Sequence, residues 1–167
     1  MDLYDDGDAW SSFDPDSIAP GQAWDCEWDV RNGGDDAASG FWVDFYASKN
    51  STISQADHLL GGVWVSGIAG DDYATVDLSL SSFPNLATGN YYVGIIIDPT
   101  NLVAETSEIN NYGVDSDDYP LYVASFAADD AYEQNDFAAD AWAHTGDWQE
   151  TLLSTINGLG LQRDDDW

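Results

Sequence analysis

Apolar and polar residues alternate along most of the first 124 residues, the period-two signature of strands that bury one face. In AWDCEWDV, Trp24, Cys26, Trp28 and Val30 fall on one side, and Asp25, Glu27 and Asp29 on the other. FWVDFYAS sets Phe41, Val43 and Phe45 against Trp42, Asp44 and Tyr46. YATVDLSL groups Ala74, Val76, Leu78 and Leu80, and YYVGIIID turns Tyr91, Val93, Ile95 and Ile97 inward. Shorter strands are expected in VWVSGI and in YGVDSDDYPLYVAS. Between them lie turn-forming stretches: Pro15, Pro20 and Gly21, then NGGDDAASG, KNSTISQADHLLGG, GDD and SSFPNLATGN. The result is about seven short strands with no helical period between them, an arrangement that two packed antiparallel sheets satisfy. The expected fold is an all-β, immunoglobulin-like sandwich over residues 1–124.

From Ser125 the pattern changes. FAADDAYEQNDFAADAWAHTGDWQE has an Ala-rich centre suited to a small helix, and TLLSTINGLGLQRDDDW reads as strand, Gly turn, strand. This C-terminal extension of roughly 40 residues is too short to build its own core. It is expected to dock on the sandwich or on a neighbouring copy, or to be the front of a truncated domain.

Composition adds one large departure. The chain of 167 residues carries 32 acids, of which 27 are Asp and 5 are Glu, against three basic residues, for a formal net charge of -29. Eight Trp argue against a disordered acidic tail. Asp favours turns over helices and strands. Such a field excludes nucleic acid as a partner, because phosphate binding needs Lys and Arg clusters. It disfavours anionic membrane surfaces for the same reason, and no run of about 18 apolar residues offers membrane insertion. Self-repulsion at this density calls for salt screening or bound cations. Cys26 stands alone, so no internal disulfide forms, and its alternation with acids makes it a small buried hydrophobe. No signal peptide precedes DLYDD, and Met1 is expected to mark a start or a trimmed end.

Three ordered pieces carry a family resemblance: IAPGQAWDCEWDVRNGG, FWVDFYASKNSTISQADHLLGG and LATGNYYVGIIIDPTNLVAETSEINN. With them, residues 2–124 resemble the bacterial cell-adhesion-related domain (CARDB), an immunoglobulin-like sandwich of extracellular proteins. Lys49 stands where family members usually carry a more acidic residue. Residues 129–167 resemble the start of the bacterial pre-peptidase C-terminal domain, through DDAYEQND and DDDW, with Gln134 in place of the usual Pro. Both resemblances imply a non-catalytic module of a secreted or cell-surface protein.

Candidate chemistry concentrates in DPTNLVAETSEINN. Asp98, Asn101, Glu105, Glu108, Asn110 and Asn111 offer oxygen ligands, and calcium wants about six to eight oxygens at about 2.3–2.6 Å. The alternative is that Asn side chains cap turns while the Glu are solvated or structural. The 48–57 loop offers Ser48, Asn50, Ser54 and Asp57, for which a hydrogen-bonded loop is the favoured reading. Acid clusters at Asp5-Asp6-Asp8, Asp115-Asp117-Asp118, Asp129-Asp130 and Asp164-Asp165-Asp166 could each hold a weak divalent ion or be solvated patches. His58 and His144 are the only histidines and no HExxH, Cys pair or GxSxG is present, so neither zinc, an organic cofactor nor catalysis is expected. Trp42, Tyr46, Trp64 and Tyr92 are candidates for a ligand- or partner-binding face, on which aromatics could stack on sugars or bury into a neighbour.

The combined expectation is an extracellular, cation-stabilised adhesion module that attaches to a surface or assembles into a filament or layer. Its partner would be a protein or polysaccharide at the cell surface, or a second copy held through a sheet edge and the C-terminal segment. The alternatives are an accessory module of a secreted hydrolase such as a peptidase, and a carbohydrate-binding module.

Overall fold

A computed structural model describes residues 1–5, 12–14, 17–115 and 120–125. They belong to one compact unit, Met1–Ser125. The helix and hairpin expected after Ser125, with the acid clusters at 129–130 and 164–166, lie outside the described residues.

The described chain forms ten strands and no helix: β1 (Leu3–Asp5), β2 (Ser12–Asp14), β3 (Ser17–Ile18), β4 (Trp24–Asn32), β5 (Phe41–Ser48), β6 (His58–Val65), β7 (Asp72–Leu80), β8 (Gly89–Ile97), β9 (Tyr112–Val114) and β10 (Leu121–Val123). They make two sheets. In the first, β7 pairs with the whole of β4 on one edge, while the short β1 and β2 share its other edge. The second runs β3-β10-β8-β5-β6, with β9 sharing the β10 edge of β8.

Burial follows the alternation. Trp24, Cys26, Trp28 and Val30 of β4 are buried, as are Val76 and Leu78 of β7, while Ala74 and Leu80 pack partly buried against the core. The second sheet supplies Phe41, Val43, Phe45, Tyr91, Val93, Ile95 and Ile97. Removing such large apolar side chains from water gives roughly 1.5–3 kcal/mol each. Trp24 meets Phe83 edge to face, with ring centroids 5.5 Å apart. Burial pushes the Cys26 thiol well above its ordinary range, so this cysteine is inert packing.

Three features depart from the sequence reading. Strand β6 begins at His58, inside a stretch expected to be a polar connection; there His58 pairs with Ala47 and Leu59 with Tyr46, across a register shift between Phe45 and Tyr46. The Gly61-Gly62 pair weakens the strand signal, yet Gly62 is tolerated because a Cβ there would meet the Asp44 carboxylate. The N-terminal stretch, read as turns, contributes three short strands. One of them, β3, pairs parallel to β10, so the sandwich is not wholly antiparallel.

Candidate functional site

The oxygen-rich loop leaves β8 at Asp98, whose amide donates to the Trp42 carbonyl (2.8 Å). Asp98 and Asn101 take left-handed backbone conformations, with φ of 45° and 56°, which Asp and Asn tolerate better than other non-Gly residues. The buried Asp98 carboxylate then accepts hydrogen bonds from Leu102 N (3.0 Å) and Val103 N (2.7 Å). This folds the loop back and drops Val103 into the core.

Glu105 holds the opposite end of the chain. One carboxylate oxygen accepts from Leu3 N and the other from Asn111 Nδ2 (2.8 Å). Thr106 N and Oγ1 both donate to the Met1 carbonyl (3.1 Å each), and Glu108 Oε1 accepts from Glu105 N (3.0 Å). Burial raises the Glu105 carboxyl above its ordinary value, against the lowering pull of Leu3 N and Asn111 and with help from the charges of Glu108 and Asp98. The loop is therefore a clamp that fastens β1 to the second sheet.

That geometry bears on calcium. Both oxygens of Asp98, both of Glu105 and one of Glu108 already face protein donors. Among the described residues, no group of three or more His, Cys, Asp or Glu is arranged to hold a metal ion. The buried Oδ1 atoms of Asn110 and Asn111 lack a protein donor, but two amide oxygens fall well short of a calcium shell. The six residues proposed as ligands are brought into one loop, without forming a cage.

The 48–57 loop is organised by hydrogen bonds that converge on Asp57. Asp57 accepts from Ser48 Oγ, Ser54 N and Ser54 Oγ, each at 2.8 Å. Burial acts to raise its carboxyl, but these donors outweigh it and hold the group below its ordinary value. The loop carries Ile53 across the outer face of the second sheet, where it packs on Tyr46 and Ile96. Between this loop and β9 lies a cleft of about 480 Å³ lined by Ser51–Ser54 and Tyr112–Val114.

The candidate aromatics separate accordingly. Trp42 and Trp64, 41 % and 49 % exposed, are cross-strand neighbours whose rings meet edge to face at 5.4 Å and 68°. Tyr92 is also exposed, and Leu59, Tyr112 and Tyr122 join it among the open apolar side chains. Tyr46 sits on this outer face but only 5 % exposed, under Ile53, so it supports the face and cannot offer a ring to a ligand.

Two structural residues escaped the sequence reading. Asn32, wholly buried at the end of β4, accepts from Asp2 N and Gly34 N and donates to the carbonyls of Asp36, Ile68 and Ala69. The signal was its parity with Trp24, Cys26, Trp28 and Val30. Asp5, read as part of an acid cluster, accepts from the indole Nε1 of Trp28 (2.9 Å).

A family model for CARDB matches residues 9–114. The chain belongs to the CARDB family. This CARDB chain resembles the CARDB domain of a Pyrococcus furiosus protein solved in complex with di-metal ions, at 18 % identity and a TM-score of 0.50, covering 74 % of this chain and 92 % of that one. A domain of a Methanosarcina acetivorans protein, described as a cell surface protein, aligns over 74 % of this chain and 91 % of its own at 17 % identity and a TM-score of 0.47. A β-glucosidase from Erythrobacter marinus aligns at 14 % identity and a TM-score of 0.43, with 68 % of this chain covering only 15 % of the enzyme. At these identities the likeness concerns the fold, and the glucosidase match carries no argument for hydrolysis. A search of curated protein sequences gave no match.

Proposed function

We propose that this CARDB domain is a non-catalytic adhesion module of an extracellular or cell-surface protein, and that it binds its partner through the outer face of the six-stranded sheet. The observation that carries the reading is the Trp42–Trp64 pair, two large side chains left in solvent beside each other while Phe41, Phe45, Tyr46 and Tyr91 of the same sheet are buried. Exposed aromatics of this kind mark interaction sites more often than ordinary surface. The family assignment supports a module outside catalysis, and among the described residues no helix is long and apolar enough to cross a membrane.

The di-metal ions belong to the Pyrococcus domain. In this chain the carboxylates of Asp98, Glu105 and Glu108 accept from backbone amides, so we assign the Asp98–Asn111 loop to fastening the N-terminal strand and not to a cation. The test is cosedimentation of the protein with isolated cell-envelope material, comparing wild type with Trp42→Ala/Trp64→Ala. Loss of binding in a double variant that keeps its melting temperature is expected. Undiminished binding would move the partner surface elsewhere. Sedimentation velocity on the same samples reads self-association, the form in which the partner is a second copy.

A further inference from the structure

The outer face holds one charged group among its aromatics. β5 sets Asp44 two residues from Trp42 on the same side; β6 places Gly62 opposite Asp44 and Trp64 opposite Trp42; β8 places Ile96 on the other flank, and β9 adds Tyr112 beyond Ile96. Gly62 contributes no side chain, and a Cβ there would run into Asp44 Oδ1, so the carboxylate occupies the space that this glycine leaves. Gly40 does the same for Trp64, whose indole lies where a Cβ of residue 40 would stand. Burial raises the Asp44 carboxyl above its ordinary value, against the lowering pull of the Tyr46 hydroxyl. The strands of this sheet contain no Lys or Arg. The nearest cation in sequence, Lys49, is engaged elsewhere: its ammonium lies 3.4 Å from the centre of the Tyr91 ring and donates to Asn90 O.

We infer that this face binds an arginine side chain of a partner protein, its guanidinium stacked on the Trp42–Trp64 pair and paired with the Asp44 carboxylate. The inference rests on the outer face being the binding surface. Three considerations select the occupant. Residues two apart on a strand stand about 7 Å apart, and a guanidinium within about 6 Å of an indole centroid can reach a carboxylate at that spacing. A chain of net charge -29 attracts cations and repels anionic polysaccharides. Arginine is chosen over lysine because its planar, weakly hydrated head both stacks on an aromatic face and forks onto a carboxylate, whereas an ammonium is a strongly hydrated point charge. A neutral sugar would stack on the tryptophans but leave Asp44 without a counter-charge.

The experiment titrates the full chain, at about 0.15 M salt so that diffuse attraction is screened, with a capped Gly-Arg-Gly-Arg-Gly peptide, its Lys counterpart, and a soluble neutral β-glucan. Indole NMR signals report which tryptophans respond. Expected are shifts at Trp42 and Trp64, a preference for the Arg peptide over the Lys peptide of about fivefold or more, and a loss of about tenfold in affinity for both Asp44→Asn and Trp64→Ala. Asp77→Asn, an exposed acid on the other sheet, should change nothing. Equal affinity for the two peptides, or equal losses in Asp44→Asn and Asp77→Asn, would reduce the binding to general electrostatics and overturn the inference. Glucan shifts at Trp42 and Trp64 without peptide shifts would also overturn it, while leaving the face a binding surface. Shifts from none of the three probes would remove the arginine, leaving the envelope cosedimentation to decide on the face. Melting curves of the variants separate lost binding from lost folding.

Discussion

Replacing Asn32 by Ala should cost this domain a large fraction of its stability. The side chain is wholly buried and serves five backbone groups on three segments: the amides of Asp2 (3.1 Å) and Gly34 (3.1 Å), and the carbonyls of Asp36 (2.9 Å), Ile68 (3.3 Å) and Ala69 (3.1 Å). A buried polar group stripped of its partner costs about 1–3 kcal/mol. Four of the five contacts are only partly buried and open to replacement by water, so each of those is counted at about 0.5 kcal/mol, the low end of a hydrogen bond's net worth. The sum is about 3–5 kcal/mol, against a total stability on the order of 5–15 kcal/mol. At about 2–4 °C per kcal/mol for a domain of this size, the melting temperature should fall by about 10 °C, read by circular dichroism at constant salt. Asn32→Asp sharpens the test. Its carboxylate still accepts from Asp2 and Gly34, but it turns a negative oxygen toward three carbonyls. Its folded pKa must therefore lie above the unfolded one, and the variant should lose stability relative to wild type as pH rises through that window. A drop of less than about 3 °C for Asn32→Ala, or a deficit of Asn32→Asp that does not grow with pH, would refute the idea that this residue ties the three segments together.

Other outcomes follow from the same contacts. Burial raises the Glu105 carboxyl above its ordinary 4.5, so the folded state binds that proton more tightly; this contribution is favourable at low pH and is lost as pH rises above about 4.5. The melting temperature of Glu105→Gln relative to wild type should then rise across that window, and a constant difference would argue against the buried clamp. The Asp57 carboxyl is held below its ordinary 3.8 by Ser54 and Ser48 in spite of burial, so its stabilisation is present above that value and disappears as pH falls below it. Asp57→Ala should cost about 1–2 kcal/mol in chemical denaturation at neutral pH and almost nothing in strong acid. Gly94→Ala should cost about 2–3 kcal/mol, because its Cβ would strike the Gly113 carbonyl and the Ile53 side chain; hydrogen exchange should show β9 loosened first. Calcium added to chelator-treated protein should leave the backbone amide signals of residues 98–111 in place. Shifts confined to that loop would mean that its oxygens bind the ion after all.

Sequence parity alone reached far into this fold. In β4, β5, β7 and β8 the inward residues are those that alternation selected, because a strand with one face on a core has no other way to satisfy its apolar side chains. It also placed Trp42, Trp64 and Tyr92 outside, and it identified the family through the ordered motifs around them. What it could not supply were contacts between segments distant in the chain. Tyr46 has the parity of an exposed residue and is covered by Ile53 from a loop that packs over the sheet. The strand from His58 was hidden because His58, Gly61 and Gly62 lack strand character and are held in place by pairing with β5. The carboxylates of the Asp98–Asn111 loop carry the composition of a cation site, and composition does not say which donor reaches an oxygen first. Folding brought the amides of Leu3, Leu102 and Val103 to those oxygens, and each such bond takes up one of the lone pairs on which a cation would draw. Local alternation thus determined which side of each strand is apolar, whereas the work of the polar groups was decided by tertiary proximity, since a hydrogen bond depends on a partner within about 3 Å wherever it lies in the sequence.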